Sequence, residues 1–417
     1  IRVTHANKQL RSLYIAGPGD VIGTYRHWRE GRDDPSQVAV TYSGLFYDVC
    51  RERGIAAKVV ANRAESERLC EGGWDIEHRR DRKQRWRGPF FHLGRYLFHL
   101  SVVVTAIRQR CDTLVLSAGS HLLPFWLAKW SGKKIILTEH CVLWRKKHRP
   151  GRLQKIIHAL DRGFFRSGCD VIMSISGDVS TQITALAGPN HAPVVHFLPH
   201  YRRDEFDNVP SADPTRVPFR VLFAGRIEAN KGVFDVLEIS KQLSASGDVE
   251  VVFDIAGDGG AMQELRRRVD EERLASMFKL HGYCQKPRMR ELLAACHAVI
   301  VPTKSDFIEG FKKVVAEAVL AHRPFITSDV CPALEYVRDA GIEVPVDDVQ
   351  AYADAITKLA SDRAMYERYV AATHTLDEQF YDPERSWAAV LKKALDTLDA
   401  GEVESLRESE VVYGEMY

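Results

Sequence analysis

Short apolar runs alternate with helix-prone stretches along most of the chain. Runs of this length, bounded by turn residues, are typical of buried parallel strands, and the alternation predicts α/β domains built on doubly wound parallel sheets. Helices are expected around residues 36–53 and 92–110. The expected strands are LYIAG at 13–17, AAKVVA at 56–61, TLVLSA at 113–118, KIILTE at 134–139, VIMSIS at 171–176, FRVLFAG at 219–225, VEVVFDIAG at 249–257, FKLHGY at 278–283, HAVIVPT at 297–303, PFITSD at 324–329 and GIEVPV at 341–346.

The strand-like runs fall into two series, separated by a segment rich in Pro and Asp. A linker near 205–217 therefore divides the chain into two similar α/β domains. With 417 residues, of which 45% are hydrophobic, the chain is long enough for two cores. We predict an amino-terminal domain over 1–205, a second domain over 206–377, and a terminal helix with a tail over 378–417.

The stretch EGFKKVVAE places Glu309 and Glu317 eight positions apart, across the start of a helix-prone run. It follows the predicted strand in 297–303. A loop at the carboxyl end of a parallel strand that leads into a helix offers free amides and a positive dipole end to phosphates. Two carboxylates beside it can accept hydrogen bonds from the hydroxyls of a ribose and a sugar. The pattern therefore predicts a nucleotide-sugar site.

A second loop supplies cations for such a ligand. In GRIEANKG, Gly225 permits close backbone approach, and Arg226 and Lys231 extend from the same loop. Arg226 offers a planar fork to a diphosphate and Lys231 a mobile point charge. The alternative is a solvated turn with two surface cations.

These motifs, in the order GRxxxxKG, AGDG, HGY and EGF with seven residues between two glutamates, resemble the carboxyl-terminal half of family-four retaining glycosyltransferases. In the first half, GPGDVIGT, LTEH and SISGDVS resemble the acceptor-side landmarks of that family. The resemblance implies the GT-B architecture, in which two Rossmann-like domains face each other across a cleft. The first domain would bind the acceptor and the second the donor, and the terminal helix would cross back to the first domain.

The resemblance also implies residue roles and a mechanism. The departing phosphate oxygen takes the acceptor proton, so neither glutamate need act as a nucleophile, and Glu309 contacts the sugar hydroxyls while Glu317 contacts the ribose. No Asp-x-Asp triplet occurs in the sequence, and we expect neither a metal nor another cofactor. The catalytic candidates are Glu309, Arg226, Lys231 and His140. The donor-binding candidates are Glu317, Gly310, Phe311, Lys312, Gly225, Gly257, Tyr283 and Gly19.

Two positions depart from the family pattern. Lys312 stands where relatives often carry glycine or proline, which predicts either a donor with an additional negative charge or simply a solvated lysine in the first helical turn. The segment LPHYRRDEFD at 198–207 replaces the Asn-Gly pair that the family tends to place after the proline. This second departure affects the expected hinge and leaves the chemistry intact.

Charge is distributed unevenly between the two halves. Residues 1–200 hold 31 Lys and Arg against 17 Asp and Glu, a net +14, whereas the remainder holds 27 against 39, a net −12. The segments 77–100 and 143–160 interleave basic residues with aromatic ones, including Trp86, Phe90, Phe91 and Trp144. This pattern favours peripheral contact with anionic lipid headgroups. Solvated basic helices with apolar faces toward the core are the alternative, and nucleic acid is unlikely.

Location and function class follow from the remaining features. The longest apolar candidate, YLFHLSVVVTAI, is shorter than the about 20 residues of a membrane span, and no leader is visible. Eight scattered cysteines without a CxxC pair favour a reduced, cytoplasmic setting. Peripheral contact through 77–100 and 143–160 would then be with the inner face of the membrane. We expect transfer from a UDP-sugar, slightly favoured over a GDP-sugar, to a lipid-linked or growing glycan. The alternative is a catalytically idle scaffold; a nicotinamide enzyme is disfavoured because no GxGxxG follows an early strand.

Overall fold

Two separate parallel sheets organise the protein. The computed structural model describes residues 10–80, 87–306 and 308–407. The first sheet has eight strands in the order β3-β4-β2-β1-β5-β6-β7-β8, and the second has six in the order β11-β10-β9-β12-β13-β14. Within these described ranges, every strand pairing is parallel except that of β3 with β4. The predicted class, α/β with two Rossmann-like domains, is confirmed.

Among its described residues, the first domain carries strands β1 to β8 and helices α1 to α6. Its strands are β1 (Arg11–Ile15), β2 (Ala56–Arg63), β3 (Glu67–Glu71), β4 (Trp74–Arg80), β5 (Thr113–Leu116), β6 (Lys134–Glu139), β7 (Val171–Ser174) and β8 (Val194–His196). Its helices are α1 (Val21–Arg29), α2 (Tyr42–Glu52), α3 (Pro89–Arg108), α4 (Trp126–Trp130), α5 (Arg152–Gly163) and α6 (Gly177–Ala187).

The second domain continues the same alternation. Its strands are β9 (Phe219–Ala224), β10 (Val251–Ala256), β11 (Phe278–Gly282), β12 (Ala298–Val301), β13 (Phe325–Ser328) and β14 (Gly341–Val344). Its helices are α7 (Val233–Ser246), α8 (Met262–Glu271), α9 (Lys286–Ala295), α10 (Lys313–Leu320), α11 (Leu334–Val337), α12 (Val349–Ser361) and α13 (Arg363–Leu376).

The last helix, α14 (Trp387–Ala400), packs against α2 and β7 of the first domain. Trp387 is fully buried, and its indole Nε1 donates a hydrogen bond to the Thr138 hydroxyl at 2.9 Å. Its ring lies 5.6 Å from that of Tyr14. Trp387 therefore anchors the returning chain by packing.

One hydrophobic core runs through both domains, and a second lies within the second domain alone. The larger core joins first-domain strands to Phe311, Val315 and Tyr336 of the second domain and to Trp387 of α14. The smaller core fills the space between β9, β10 and helices α7 and α12. The interface between the two sheets is thus itself part of a continuous apolar interior.

Several local features differ from the sequence-based expectations. Helix α1 was not predicted: Asp20 caps it by accepting a hydrogen bond from the Gly23 amide, so GPGDVIGT is a loop only up to Asp20. Helix α2 begins at Tyr42, later than the expected start near residue 36. The Thr41 hydroxyl caps it by accepting a hydrogen bond from the Gly44 amide. The segment 77–100 begins within strand β4, where Glu77 pairs with the buried Lys58 at 2.8 Å, so its first residues are part of a sheet.

Helix α3 corrects the expectation about membrane spans. Of the described residues, one helix, Pro89–Arg108, is long and apolar enough to cross a membrane by length and composition alone. The apolar run of 96–107 is too short to span a membrane by itself, but α3 also includes the apolar residues that precede this run. One third of the helix is buried, and His99 packs against the Phe125 ring at 5.0 Å, so that side of the helix belongs to the first-domain core.

Candidate active site

A cleft of about 420 Å³ lies between the carboxyl edges of the two sheets. Residues from both domains line it, as the topology of facing doubly wound sheets requires. From the first domain come Tyr42, His140, Cys141 and Ile175. From the second come Phe223, Ala224, Gly225, Arg226, Lys231, Ile300, Val301, Thr303, Ile308, Glu309, Phe311, Lys312, Lys313 and Val314.

Glu309 lies between two lysines at the centre of the second-domain wall. Its Oε2 accepts hydrogen bonds from the Nζ atoms of Lys231, at 3.0 Å, and of Lys312. Burial alone would raise the pKa of Glu309, but Lys312 and Lys231 lower it below its usual range. Burial and the nearby Lys312 lower the pKa of Lys231 to about 8, although Glu309 opposes them. We call these three residues the lysine–glutamate cluster.

Lys312 is only 4% exposed in its side chain, so the alternative of a solvated lysine is wrong. Lys312 is the residue before α10, at the helix end where the backbone amides of the first turn have no partner within the helix. A cation at this helix end is unfavourable by itself, and Glu309 offsets it. The cluster therefore holds more positive charge than one carboxylate neutralises, which suits an incoming anion.

Glycines let the loops of the second domain approach each other closely. A Cβ on Gly257 would lie 1.8 Å from the Gly225 carbonyl oxygen, and Gly257 has a φ of +147°. The Gly225 amide donates to Ala256 O at 3.0 Å. Because the loops after β9 and β10 are in contact here, Arg226 is held at the cleft edge, with its side chain 63% exposed and 3.0 Å from Glu228.

Glu317 lies behind the cleft in this structure. Its carboxylate accepts a hydrogen bond from the Tyr201 hydroxyl at 3.3 Å, and it is not among the residues that line the cleft. Burial raises the pKa of Glu317 to about 7, against the charge of Lys313 and the Tyr201 bond. The ribose contact assigned to Glu317 stays a prediction.

Gly310 marks the place where the two domains meet. A Cβ on Gly310 would lie 2.6 Å from the His140 carbonyl oxygen and 2.8 Å from a methyl carbon of Ile175, both in the first domain. Phe311, next in sequence, is buried and packs against Tyr336 and Phe380. Gly310 and Phe311 thus close the floor of the cleft by packing.

His140 forms the neutral, aromatic part of the first-domain wall. Its ring lies 4.4 Å from that of Tyr42, and its Nε2 is 3.2 Å from the Thr138 hydroxyl. Burial, together with the charge of Lys313, lowers the pKa of His140 to about 3. The imidazole is therefore uncharged at neutral pH, and its buried Nδ1 has no hydrogen-bond partner among the described residues.

Two sequence candidates lie elsewhere. Tyr283 is 60% exposed, and its hydroxyl donates to Ser36 O at 3.3 Å, so it bridges the domains outside this cleft. Gly19 lies in the exposed turn before α1 and does not line the cleft. The donor-binding roles of both stay predictions.

Sequence reasoning missed four residues of this region. Tyr42, Cys141 and Lys313 line the cleft, and Lys313 Nζ lies 4.8 Å from the centre of the Tyr42 ring. Cys141 could have been found as the neighbour of His140, and Tyr42 as the residue after a helix-capping threonine. No local signal connects Tyr201 to Glu317, because their contact joins distant parts of the chain.

Comparison with known proteins supplies the class. Residues 210–375 match the family described as Glycosyl transferases group 1. The chain is 23% identical over 278 residues to alpha-D-kanosaminyltransferase of Streptomyces kanamyceticus, covering 63% of this chain and 69% of that one. It is 25% identical over 228 residues to glycogen synthase of Mycobacterium tuberculosis, covering 53% of each chain.

Solved structures share the whole fold. Anabaena HepE, solved with UDP and glucose, superposes with a TM-score of 0.64 at 15% identity, covering 94% of this chain and all of that one. WaaG, described as a glycosyltransferase involved in lipopolysaccharide biosynthesis, gives a TM-score of 0.65 at 12% identity, over 92% of this chain and 98% of that one.

The two facing sheets and the cleft between them define a GT-B protein. The chain is a glycosyltransferase, and its residues 210–375 match the group 1 family. A sugar bound to a nucleotide is accordingly its donor. The resemblance stated from the sequence motifs is confirmed at this level.

Proposed function

We propose that the protein transfers a glycosyl group from a nucleotide diphosphate sugar with retention at the anomeric carbon. The observation that carries this proposal is the lysine–glutamate cluster, which opens on the cleft beside the amides of α10. The donor diphosphate would replace Glu309 as the partner of Lys231, with Arg226 on its outer side. Glu309, released from the lysine, would accept hydrogen bonds from the sugar hydroxyls.

Bond breaking then needs mainly electrostatic help. As the bond from the anomeric carbon to the phosphate oxygen breaks, negative charge grows on the diphosphate, where fixed cations and amides stabilise it. The leaving phosphate oxygen takes the proton of the acceptor hydroxyl as that hydroxyl adds to the same face of the sugar. The neutral His140 lies opposite, where it contributes polarity without a competing charge. Because protein cations neutralise the diphosphate, the proposed reaction uses no metal ion.

We favour a UDP-sugar over a GDP-sugar as the donor. Support comes from HepE, whose structure was solved with UDP-glucose, at a TM-score of 0.63 to this chain. The test is a thermal-shift panel of UDP- and GDP-sugars without added metal, on the intact chain and on Lys231→Ala. Selective stabilisation by one nucleotide sugar that the variant loses supports the proposal, whereas no stabilisation by any of them favours the idle scaffold.

For the acceptor we propose a lipid-linked or growing glycan that the enzyme meets at an anionic membrane surface in the cytoplasm. Apolar side chains that are more than a third exposed form stripes at helical spacing on helices α3, α4 and α5 of the first domain. They are Phe90, Phe91, Leu93, Leu97, Leu100, Val104 and Ile107 on α3, Leu127 and Trp130 on α4, and Leu153, Ile156 and Leu160 on α5. Apolar stripes flanked by basic residues suit a headgroup region.

Basic residues flank these stripes. The exposed basic residues here are Arg87, two residues before α3, Arg108 on α3, and Arg152 and Lys155 on α5. Residues 145–149 form an exposed basic loop before α5. The apolar residues named above are exposed on these helices, whereas the alternative places apolar residues toward the core. Trp144 is half-buried against His158, and Trp86 lies outside the described residues. The proposal is tested by flotation with anionic and neutral vesicles at low salt; if neither retains the protein, membrane contact is excluded.

A further inference from the structure

Two histidines and an aspartate come together far from the cleft, where α10 and α13 end. One potential ligand atom from each of His322, His374 and Asp377 lies within 4.8 Å of the others. The two imidazole rings are stacked with centroids 3.7 Å apart. His322 is the second residue after α10, His374 is in the last turn of α13, and Asp377 follows that helix directly.

The backbone of His322 shows that an imidazole is held here at some cost. Its φ of +55° is in the left-handed region that usually takes glycine at a helix end. The amides of His322 and Arg323 donate to Val319 O and Ala318 O and so close the end of α10. A glycine would serve this turn better, yet the chain places a side chain there and directs it at α13.

Hydrogen bonds fix which nitrogen of His322 faces Asp377. The Thr373 hydroxyl donates to Val370 O at 2.6 Å, so its oxygen is left to accept from His322 Nδ1–H at 3.3 Å. His322 Nε2 then carries a lone pair, and it lies 4.0 Å from Asp377 Oδ2. Two acceptors thus face each other, at a distance too long for a hydrogen bond. A cation between them satisfies both, and a histidine whose second nitrogen donates to a neighbour is the usual metal ligand.

We propose that His322, His374 and Asp377 bind a divalent first-row transition ion, with Zn²⁺ as the reference ion. Two imidazole nitrogens and one carboxylate oxygen form a donor set suited to such ions, and water completes a tetrahedral site. Bonds of about 2.0–2.2 Å place tetrahedral ligands about 3.4 Å apart, so the present cluster must contract by roughly 1 Å. His374 is exposed and can rotate to do this.

The position of the site gives it a structural role. Residues 377–380 carry the chain from α13 toward the first domain, and Phe380 O accepts from the Tyr201 amide at 3.0 Å. An ion bound here would fix the end of α10, whose first residues border the cleft, to the start of this crossing segment. The proposed ion is separate from the cleft, where we propose a reaction without a metal.

Metal binding is measured directly on the full chain after removal of metals with a chelator. Zn²⁺ affinity is obtained by competition with a chromophoric chelator, and Co²⁺ serves as the spectroscopic probe because the chain has eight cysteines that could bind Zn²⁺ instead. The variants are His322→Gly, His374→Gln and Asp377→Asn, with His27→Ala as the matched histidine control. His322→Gly removes a ligand while suiting the left-handed backbone, so a loss of binding in this variant does not come from misfolding.

The expected result is one Co²⁺ per chain, with the visible d–d bands of tetrahedral Co²⁺ and no intense sulfur-to-cobalt charge transfer. Each of the three variants weakens Zn²⁺ binding at least tenfold, the control leaves it unchanged, and Zn²⁺ raises the Tm of the intact chain but not of His322→Gly. The proposal is overturned by absence of stoichiometric binding, by a thiolate spectrum, or by unchanged affinity in His322→Gly and His374→Gln.

Discussion

The two walls of the cleft differ in kind. The second-domain wall concentrates charge in Lys231, Glu309 and Lys312, whereas the first-domain wall presents Tyr42 and a neutral His140. The net charge of the two halves shows the opposite pattern, because the first 200 residues are basic and the rest are acidic. The positive excess of the first domain includes its outer helices and basic loop. In the acidic second domain, Arg226, Lys231 and Lys312 line the cleft where the diphosphate is proposed to bind. Local placement therefore decides the chemistry of the cleft.

Removing the central cation should have the largest effect. We expect Lys231→Ala to lower kcat by about 10²–10³, because the proposed mechanism then loses a buried donor to the leaving group. Lys241→Ala is the matched control, since Lys241 is 41% exposed on α7 and pairs with Glu238 and Glu272 outside the cleft. Steady-state kinetics checks both variants. Equal activity of Lys231→Ala and the control would show that the charged wall does not act on the donor.

Glu317 tests whether the charged wall extends behind the cleft. Its pKa of about 7 lies above the ordinary value of 4.5, so the folded protein holds the proton more tightly than the unfolded chain. Stability from this group is complete below about pH 4.5 and is lost as pH rises through 7. Glu317→Gln should therefore raise the free energy of unfolding by up to about 3 kcal/mol at pH 8 and leave it unchanged at pH 4. Denaturant unfolding at both pH values measures this, and a variant less stable at pH 8 contradicts it.

Forcing the walls apart tests their contact. In Gly310→Ala the new methyl group would overlap the His140 carbonyl, which costs about 1–3 kcal/mol of overpacking. We expect a corresponding loss in kcat/KM and a lower Tm. Gly151→Ala serves as the control, because a Cβ there meets no atom within 4 Å and the backbone is not left-handed. Wild-type behaviour of Gly310→Ala would mean that the domains do not need this approach.

Lys312 tests what the extra cation selects. Lys312→Gly should weaken donor binding about tenfold through loss of one buried charge. If Lys312 serves an acidic donor, the loss is larger for a nucleotide sugar with a carboxylate than for its neutral counterpart. Isothermal titration with UDP-glucuronic acid and UDP-glucose compares the two. An equal loss for both donors assigns Lys312 to the diphosphate.

The smallest effect is on pH dependence. Because the pKa of Lys231 is about 8, donor affinity should fall several-fold as pH rises from 7 to 9 while the lysine loses its charge. Lys231→Arg keeps its charge and should flatten this profile. His140 should contribute no step near neutrality, since its ring is already uncharged. Titration of donor affinity against pH checks all three statements.

The sequence predicted the buried parallel strands well, because such strands are near-continuous apolar runs. It missed β8, a parallel strand of three residues, and the β3–β4 hairpin, whose strands carry polar pairs such as Arg68 with Asp75. In the cleft, the sequence motifs placed Arg226, Lys231 and Glu309 near one another, because the loops that follow parallel strands lie at the same edge of the sheet. The pairing of Glu309 with both lysines and the bond of Tyr201 to Glu317 depend on side-chain packing between distant segments, which no local pattern encodes.

The continuous apolar interior sets a limit on dissection of the molecule. The family match ends at residue 375, before the crossing segment and α14, but Phe311, Val315 and Tyr336 share one core with first-domain residues. A fragment of 210–375 would expose that apolar face to water, and such faces promote association. The family match therefore covers a shorter length of chain than the unit that folds independently. Experiments on donor binding alone have to keep both domains.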